Sequence, residues 1–157
     1  VFSPLGNPRH YGQGFFARPF KGEVRSWSAV TAACCLIKNS LFRKYGGFDE
    51  SFVNGCEDVD LCLRLNREGF SHFVVHDSVI DHVKGATTGR KDRNEENFEL
   101  LMKKWGSSIR ENESLNDSFD HARTYLYRPF FKPLGTNIIK LLDAFLIISR
   151  LRNLSRR

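Results

Sequence analysis

Glu57, Asp58 and Asp60 place three acids within four residues, behind Gly55 and ahead of an apolar run. Transfer of a group to a hydroxyl needs a carboxylate that accepts the hydroxyl proton at the moment of attack, held within hydrogen-bond reach. Asp58 meets those terms if a helix starts here, because the packed helix fixes its backbone while its side chain can face a cleft. Glu57 would then point elsewhere and suits contacts to an acceptor or to backbone. The same acids also complement the positive end of a helix dipole, so composition alone leaves a structural reading open beside the catalytic one. His82 is the second candidate. It ends an alternating segment and opens Gly85-Ala86-Thr87-Thr88-Gly89-Arg90, whose small residues and terminal Arg90 could approach a phosphate. A lone His serves equally well as a surface or core residue. His72, His76 and Asp77 add no metal site, since His76 and His82 share a strand face only if the strand continues through Asp77-Ser78.

The elements that must hold these residues follow from periodicity. Residues 1–26, rich in Gly, Pro, Arg and Phe, read as an irregular loop. Trp27 to Ile37 is short, small-residue-rich and bounded by Lys38-Asn39-Ser40, which predicts a buried strand. Asn39 or Ser40 caps a short helix over Leu41 to Tyr45 that stops at Gly46-Gly47. From Glu57 the pattern of Val59, Leu61, Cys62, Leu63 and Leu65 predicts a helix, with an Asp60–Arg64 pair one turn apart and a stop at Gly69. Phe73-Val74-Val75 and Ser78 to Val83 read as strands. Phe98, Leu101, Met102 and Trp105 mark a helix from Arg93 that ends at Gly106, and residues 107–120 read as a polar linker. Pro129 and Pro133 interrupt the aromatic stretch that follows, and Asn137 to Arg152 predicts a last amphipathic helix.

At 157 residues with 41% apolar and 13% aromatic content, the chain can bury a real core. The net charge of +6 is unevenly spread: from Ala122 onward eight Lys and Arg meet one acid, Asp143, whereas residues 1–121 carry 16 basic and 17 acidic residues. The excess therefore belongs to the C-terminal segment alone. Adjacent Cys34 and Cys35 would alternate across a strand, so buried free thiols in a reducing cytosol are expected, and the absence of a C-x-x-C pair argues against structural zinc. Val1 to Pro8 has neither a starting Met nor the layout of a signal peptide, which suggests an excerpt of a longer chain. Lys140 and Asp143 interrupt the most apolar tail segment, so a spanning helix is not expected. Set among Lys and Arg, Phe130-Phe131 and the stripe of Ile138, Ile139, Leu142, Phe145 and Leu146 suit a helix at an anionic membrane surface, or one packed on its own domain or a second subunit as a homo-oligomer. Nucleic acid ranks below these, because the aromatics cluster with apolar residues instead of forming a stacking platform.

Taken in order, Val30-Thr31-Ala32-Ala33-Cys34-Cys35-Leu36-Ile37, Tyr45-Gly46-Gly47-Phe48-Asp49-Glu50, Glu57-Asp58-Val59-Asp60-Leu61-Cys62-Leu63-Arg64, Gly69-Phe70, His82 and Lys104-Trp105-Gly106 resemble the second half of family 2 glycosyltransferases, above all bacterial enzymes of the rhamnosyl- and galactofuranosyl-transferase kind. The resemblance covers about residues 27–106. It implies an α/β fold, a partial GT-A (nucleotide-diphospho-sugar transferase) fold with a mixed sheet flanked by helices and a C-terminal helical tail. Its segments would be residues 1–26, an irregular loop; 27–106, the acceptor and catalytic-base half; and 107–157, linker and basic tail. It further implies Asp58 as general base, with Glu57 beside it, in an inverting transfer from a nucleotide-sugar donor to a hydroxyl of a glycan or lipid-linked acceptor. His82 would be a ligand of Mg²⁺ or Mn²⁺, with Arg90 and Thr88 near the donor phosphates. Gly46, Gly47, Phe48 and Trp27 would line the acceptor cleft, and Asp49 would brace the turn. The implied location is cytoplasmic, peripheral at the inner face of the bacterial plasma membrane. The family's nucleotide-binding first half, which ends in an Asp-x-Asp motif, has no counterpart before Trp27, so the isolated segment is expected to be inactive. That gap also supports the alternative of a non-catalytic sugar- or lipid-binding module.

Overall fold

In a computed structural model of the chain, the described residues are 22–80, 92–112 and 133–149, with positions 8, 10, 119, 122–123, 125–127 and 129–130. The chain divides into two compact units, Phe20–Ser107 and the combination of Val1–Pro19 with Ser108–Arg157.

Strands β1 (Val24–Trp27) and β2 (His72–Val75) form an antiparallel ribbon in the register Val24↔Val75, Arg25↔Val74, Ser26↔Phe73 and Trp27↔His72. Bonds from His76 N to Glu23 O (3.0 Å) and from Gly22 N to Asp77 Oδ1 (2.8 Å) extend the pairing beyond the strands. Alternation puts Val24, Phe73 and Val75 on the open face and buries Trp27.

Helices α1 (Asn39–Lys44) and α2 (Glu57–Arg67) end in the same way. After α1, Gly46 N donates to Arg43 O and Gly47 N to Phe42 O, with Gly46 at φ +79°. After α2, Gly69 N donates to Asn66 O and Phe70 N to Leu65 O, with Gly69 at φ +81°. Both are Schellman closures, in which a left-handed residue returns orphan carbonyls to hydrogen bonds. The apolar face of α2 (Val59, Leu61, Cys62, Leu63, Leu65) is buried, as are Trp27 and Phe52. Helix α3 (Asn94–Asn112) buries Leu101, Trp105 and Ile109, a set at four-residue spacing.

Helix α4 (Ile138–Ile148) belongs to the other unit, where its Ala144 and Ile147 form a small core with Ala122, against which Phe119, Tyr125 and Leu126 pack. No helix among the described residues is long and apolar enough to cross a membrane.

The α/β character holds at this coarse level, and the helices over 57–67 and 138–148 lie where the periodicity put them. Several expectations need correction. Trp27 to Ile37 is not a strand: β1 ends at Trp27, and Ala32–Cys34 is a single 3-10 turn. Ser28, Val30 and Ala32 direct backbone groups to side chains of α2, so they form no ladder. Cys34 and Cys35 are accordingly exposed, not buried. Helix α1 already begins at Asn39, and Asn39 accepts from Arg43 Nε instead of capping. Ser78 to Ile80 is not strand, and residues 81–83 lie outside the described set. Gly106 does not end α3: burying Trp105 and Ile109 on one stripe outweighs the roughly 1 kcal/mol that glycine costs a helix. Where a mixed sheet was expected, the sheet among the described residues is one antiparallel pair.

The thiols provide a test. Burial pushes Cys62 up to about 11; it does the same for Cys56, helped by the charges of Asp58 and Glu57. In the folded chain at about pH 8, Cys34 and Cys35 should react with iodoacetamide first, with Cys56 and Cys62 slower by at least about tenfold, since the thiolate is the nucleophile. Peptide mass mapping over time measures this order.

Candidate functional site

Asp60 is fully buried and meets three side-chain donors. Its Oδ1 accepts from Trp105 Nε1 at 2.8 Å and lies 2.8 Å from Lys104 Nζ; its Oδ2 accepts from Arg64 Nε at 2.8 Å. Lys104 also reaches Asp49 Oδ2 at 2.6 Å, and Asp49 Oδ1 accepts from the amide (2.9 Å) and hydroxyl (2.5 Å) of Ser51. Arg64 sends its two remaining nitrogens to the carbonyls of Tyr45 and Gly47. The Gly46-Gly47-Phe48-Asp49 turn is therefore bonded to α2 through Arg64 and to α3 through Lys104. A Cβ on Gly47, itself at φ +62°, would lie 3.1 Å from the Phe42 ring, which meets Phe48 edge-on with centroids 5.2 Å apart. Only glycine suits that position.

Asp58 has a different setting. Its Oδ1 accepts from Val59 N at 2.8 Å, satisfying one orphan amide of the helix start, and its Oδ2 accepts from Ala32 N at 3.0 Å. One turn on, Cys62 Sγ accepts from Val30 N (3.5 Å) and donates to Val30 O (3.7 Å). Another turn on, Asn66 Nδ2 donates to Ser28 O at 2.7 Å. Asp58, Cys62 and Asn66 thus form one stripe that holds every second residue of an antiparallel extended segment. The match is geometric: four helical residues rise about 6 Å, close to the roughly 6.6 Å of two extended residues. The carboxylate is fixed by backbone at both oxygens, yet its residue is only part-buried. Glu57 Oε2 is shielded from solvent with no hydrogen-bond partner among the described residues.

The loop into α2 is held from the other side. Asn97, 3% exposed, donates from Nδ2 to Val53 O (2.7 Å) and accepts at Oδ1 from Val53 N (3.0 Å). Beyond this latch, Asn54 (φ +59°) and Cys56 (φ +71°) adopt left-handed conformations that non-glycine residues seldom take. The turn they make delivers Glu57 and Asp58 to the helix start. Neither the Asn97 latch nor the Asp58–Cys62–Asn66 stripe was foreseen. The four-residue spacing of the stripe is visible in the sequence, but an Asp, a Cys and an Asn do not register as one face in a hydrophobic pattern.

Of the expected site residues, Asp58, Glu57, Gly46, Gly47 and Phe48 lie in one unit, around α2 and the turn bonded to it. Trp27 is only 6% exposed with Arg25 stacked 4.2 Å from its ring, so it packs in the interior and does not offer an open cleft wall. His82, Thr88 and Arg90 lie outside the described residues. Among the described residues no three His, Cys, Asp or Glu gather as metal ligands. Asp60 is occupied by cations, Asp58 by amides, and His72 Nε2 by the Cys62 carbonyl at 3.0 Å, which fixes a hydrogen on that nitrogen.

The chain is similar to an O-antigen biosynthesis protein of Myxococcus xanthus, with 47% identity across 42% of this chain and 7% of that protein. It is also similar to the N-acetylglucosaminyl-diphospho-decaprenol L-rhamnosyltransferase of Mycobacterium tuberculosis, with 38% identity across 39% of this chain and 20% of that one. An uncharacterized protein of Sinorhizobium fredii shares 35% identity across 43% of this chain and 8% of its own length. The chain thus spans a fifth or less of the curated relatives it matches. No family model and no solved structure matches it.

The Asp49–Lys104–Asp60 triad has a pH signature. Bonds from Lys104 and Ser51 hold Asp49 well below the usual carboxylate range. Burial pushes Asp60 up, but bonds from Lys104, Trp105 and Arg64 outweigh it and leave the group lowered. Burial pulls Lys104 down, while its two carboxylates more than compensate and raise it. Depressed carboxyl groups contribute stability that is present above their unfolded values, near pH 4, and is lost as pH falls through the folded ones. Denaturant unfolding between about pH 2 and pH 7 should show this acid loss, and Lys104→Met should lower stability near neutrality by about 3 kcal/mol while flattening the acid limb.

Proposed function

We propose that this chain is the acceptor-side, catalytic-base portion of an inverting glycosyltransferase of family 2 with a GT-A fold. It would move a sugar from a nucleotide-sugar donor to a hydroxyl of a glycan or lipid-linked acceptor in cell-surface polysaccharide synthesis. The observation that carries this reading is the division among neighbouring acids: Asp60 is consumed by Lys104, Arg64 and Trp105, whereas Asp58 is part-buried and, among the described residues, accepts from two backbone amides. The names of the relatives support the same reading, since one is an O-antigen biosynthesis protein and another a rhamnosyltransferase named for a sugar on a diphospho-decaprenol lipid.

The step that this reading entails is a single displacement. The acceptor hydroxyl donates its proton to Asp58, its oxygen bonds to the anomeric carbon, and the bond from that carbon to the diphosphate breaks with the electron pair leaving on the diphosphate. Attack opposite the leaving group inverts the centre. The two amides hold the carboxylate in place, so little reorganisation is required at the moment of transfer. Glu57, half-buried beside Asp58, is the candidate for contacts to the acceptor. His82 remains the candidate ligand for Mg²⁺ or Mn²⁺, and Arg90 and Thr88 the candidate phosphate contacts. A cation would neutralise the departing diphosphate.

In the full-length protein, Asp58→Asn should reduce kcat by about 10² to 10⁴ while the protein stays folded with an unfolding midpoint lowered by about 5 to 10 °C, because the single asparagine oxygen can accept from one of the two amides and leaves the other facing its NH2. Steady-state transfer and a thermal melt on the same preparation measure both; undiminished turnover would refute Asp58 as the base.

A further inference from the structure

Helix α4 is apolar on two faces. Ala144 and Ile147 lie on the face packed into its own small core. At 100° per residue, Ile138, Leu142, Phe145, Ile139 and Leu146 fall on a continuous arc away from these two, and each is between 40% and 77% exposed. Phe130 and Leu134, which precede the helix, are also largely exposed. An open stripe of five large apolar side chains on one short helix is more than scattered surface hydrophobics, and it needs an occupant.

The charge of the surrounding segment selects one. From Ala122 to the end the sequence holds eight Lys and Arg and one acid, whereas the rest of the chain is nearly neutral. A second copy of this segment would bring like charge to like charge. An anionic lipid surface offers apolar depth for the stripe and opposite charge for the basic residues. Eleven residues span roughly 16 Å, about half the hydrocarbon thickness of a bilayer, so the helix suits an orientation in the interface plane and not across it.

We propose that the open face of α4 docks on an anionic lipid bilayer, with the helix lying in the interface. This goes beyond the transferase reading and does not depend on it. The test is flotation of the 157-residue chain with vesicles of phosphatidylcholine alone or mixed with phosphatidylglycerol. The chain should float with the mixed vesicles and bind the neutral ones at least about tenfold more weakly; raising salt from about 0.1 M to about 1 M, which shortens the screening length from roughly 10 Å to 3 Å, should release much of it. Leu142→Ser with Phe145→Ser, both at exposed positions, should weaken binding by about a hundredfold or more with an unchanged circular dichroism spectrum and melt. Equal binding to both vesicle types, undiminished binding by the double variant, or a vesicle-free dimer abolished by the same substitutions would overturn the proposal; the last would make a second copy the occupant.

Discussion

A carboxylate removed from water must be matched by donors, and Asp60 is matched by three: an ammonium, a guanidinium and an indole N–H. Those donors come from α2 and α3. Each also makes a second contact, with Lys104 reaching Asp49, Arg64 collecting the carbonyls of the glycine turn, and the Trp105 ring supporting the Arg67 guanidinium at 4.3 Å. Replacing the buried acid would therefore disturb the turn, α2 and α3 together. Leu101, Trp105 and the apolar face of α2 are buried in the same unit.

This constraint divides labour among neighbouring acids that look alike in the sequence. Asp49 and Asp60 are committed to one lysine. Asp58, two residues from Asp60 and so on a different side of the helix, is bound by backbone amides that cannot move independently of α2 and the 28–32 segment. The Asp58–Cys62–Asn66 stripe aligns that segment, the Asn97 latch aligns the approach loop, and both converge on the first turn of α2. A firmly positioned, part-buried carboxylate is what proton abstraction requires.

What could be read from the sequence was the part governed by local rules. The apolar period from Val59 to Leu65, the Asp60–Arg64 spacing and the Gly46 and Gly69 stops depend on residues within a few positions of one another, and all appear in the fold. The strand expected over Trp27 to Ile37 failed because its backbone partners are side chains 26 to 38 positions away. Gly106 misled for a related reason: the burial of Ile109 beyond it overrides a local break signal. Lys104 carried no signal of its bridge, since a lysine beside a tryptophan reads as the solvated edge of a helix. In the tail, the apolar stripe was visible, but only the packing of Ala144 and Ile147 reveals which face is taken and which is open.

Under the proposed function Asp60 is structural and Asp58 is the base, and the substitution that separates the two roles most directly is Asp60→Asn in the full-length protein, with transfer rate measured per folded molecule. The expected result is a clear loss of stability, about 3 kcal/mol from unbalancing the buried cations, with the folded fraction transferring sugar within about tenfold of the native rate. A stably folded Asp60→Asn protein that transfers no sugar would contradict this division and move the base from Asp58 to Asp60.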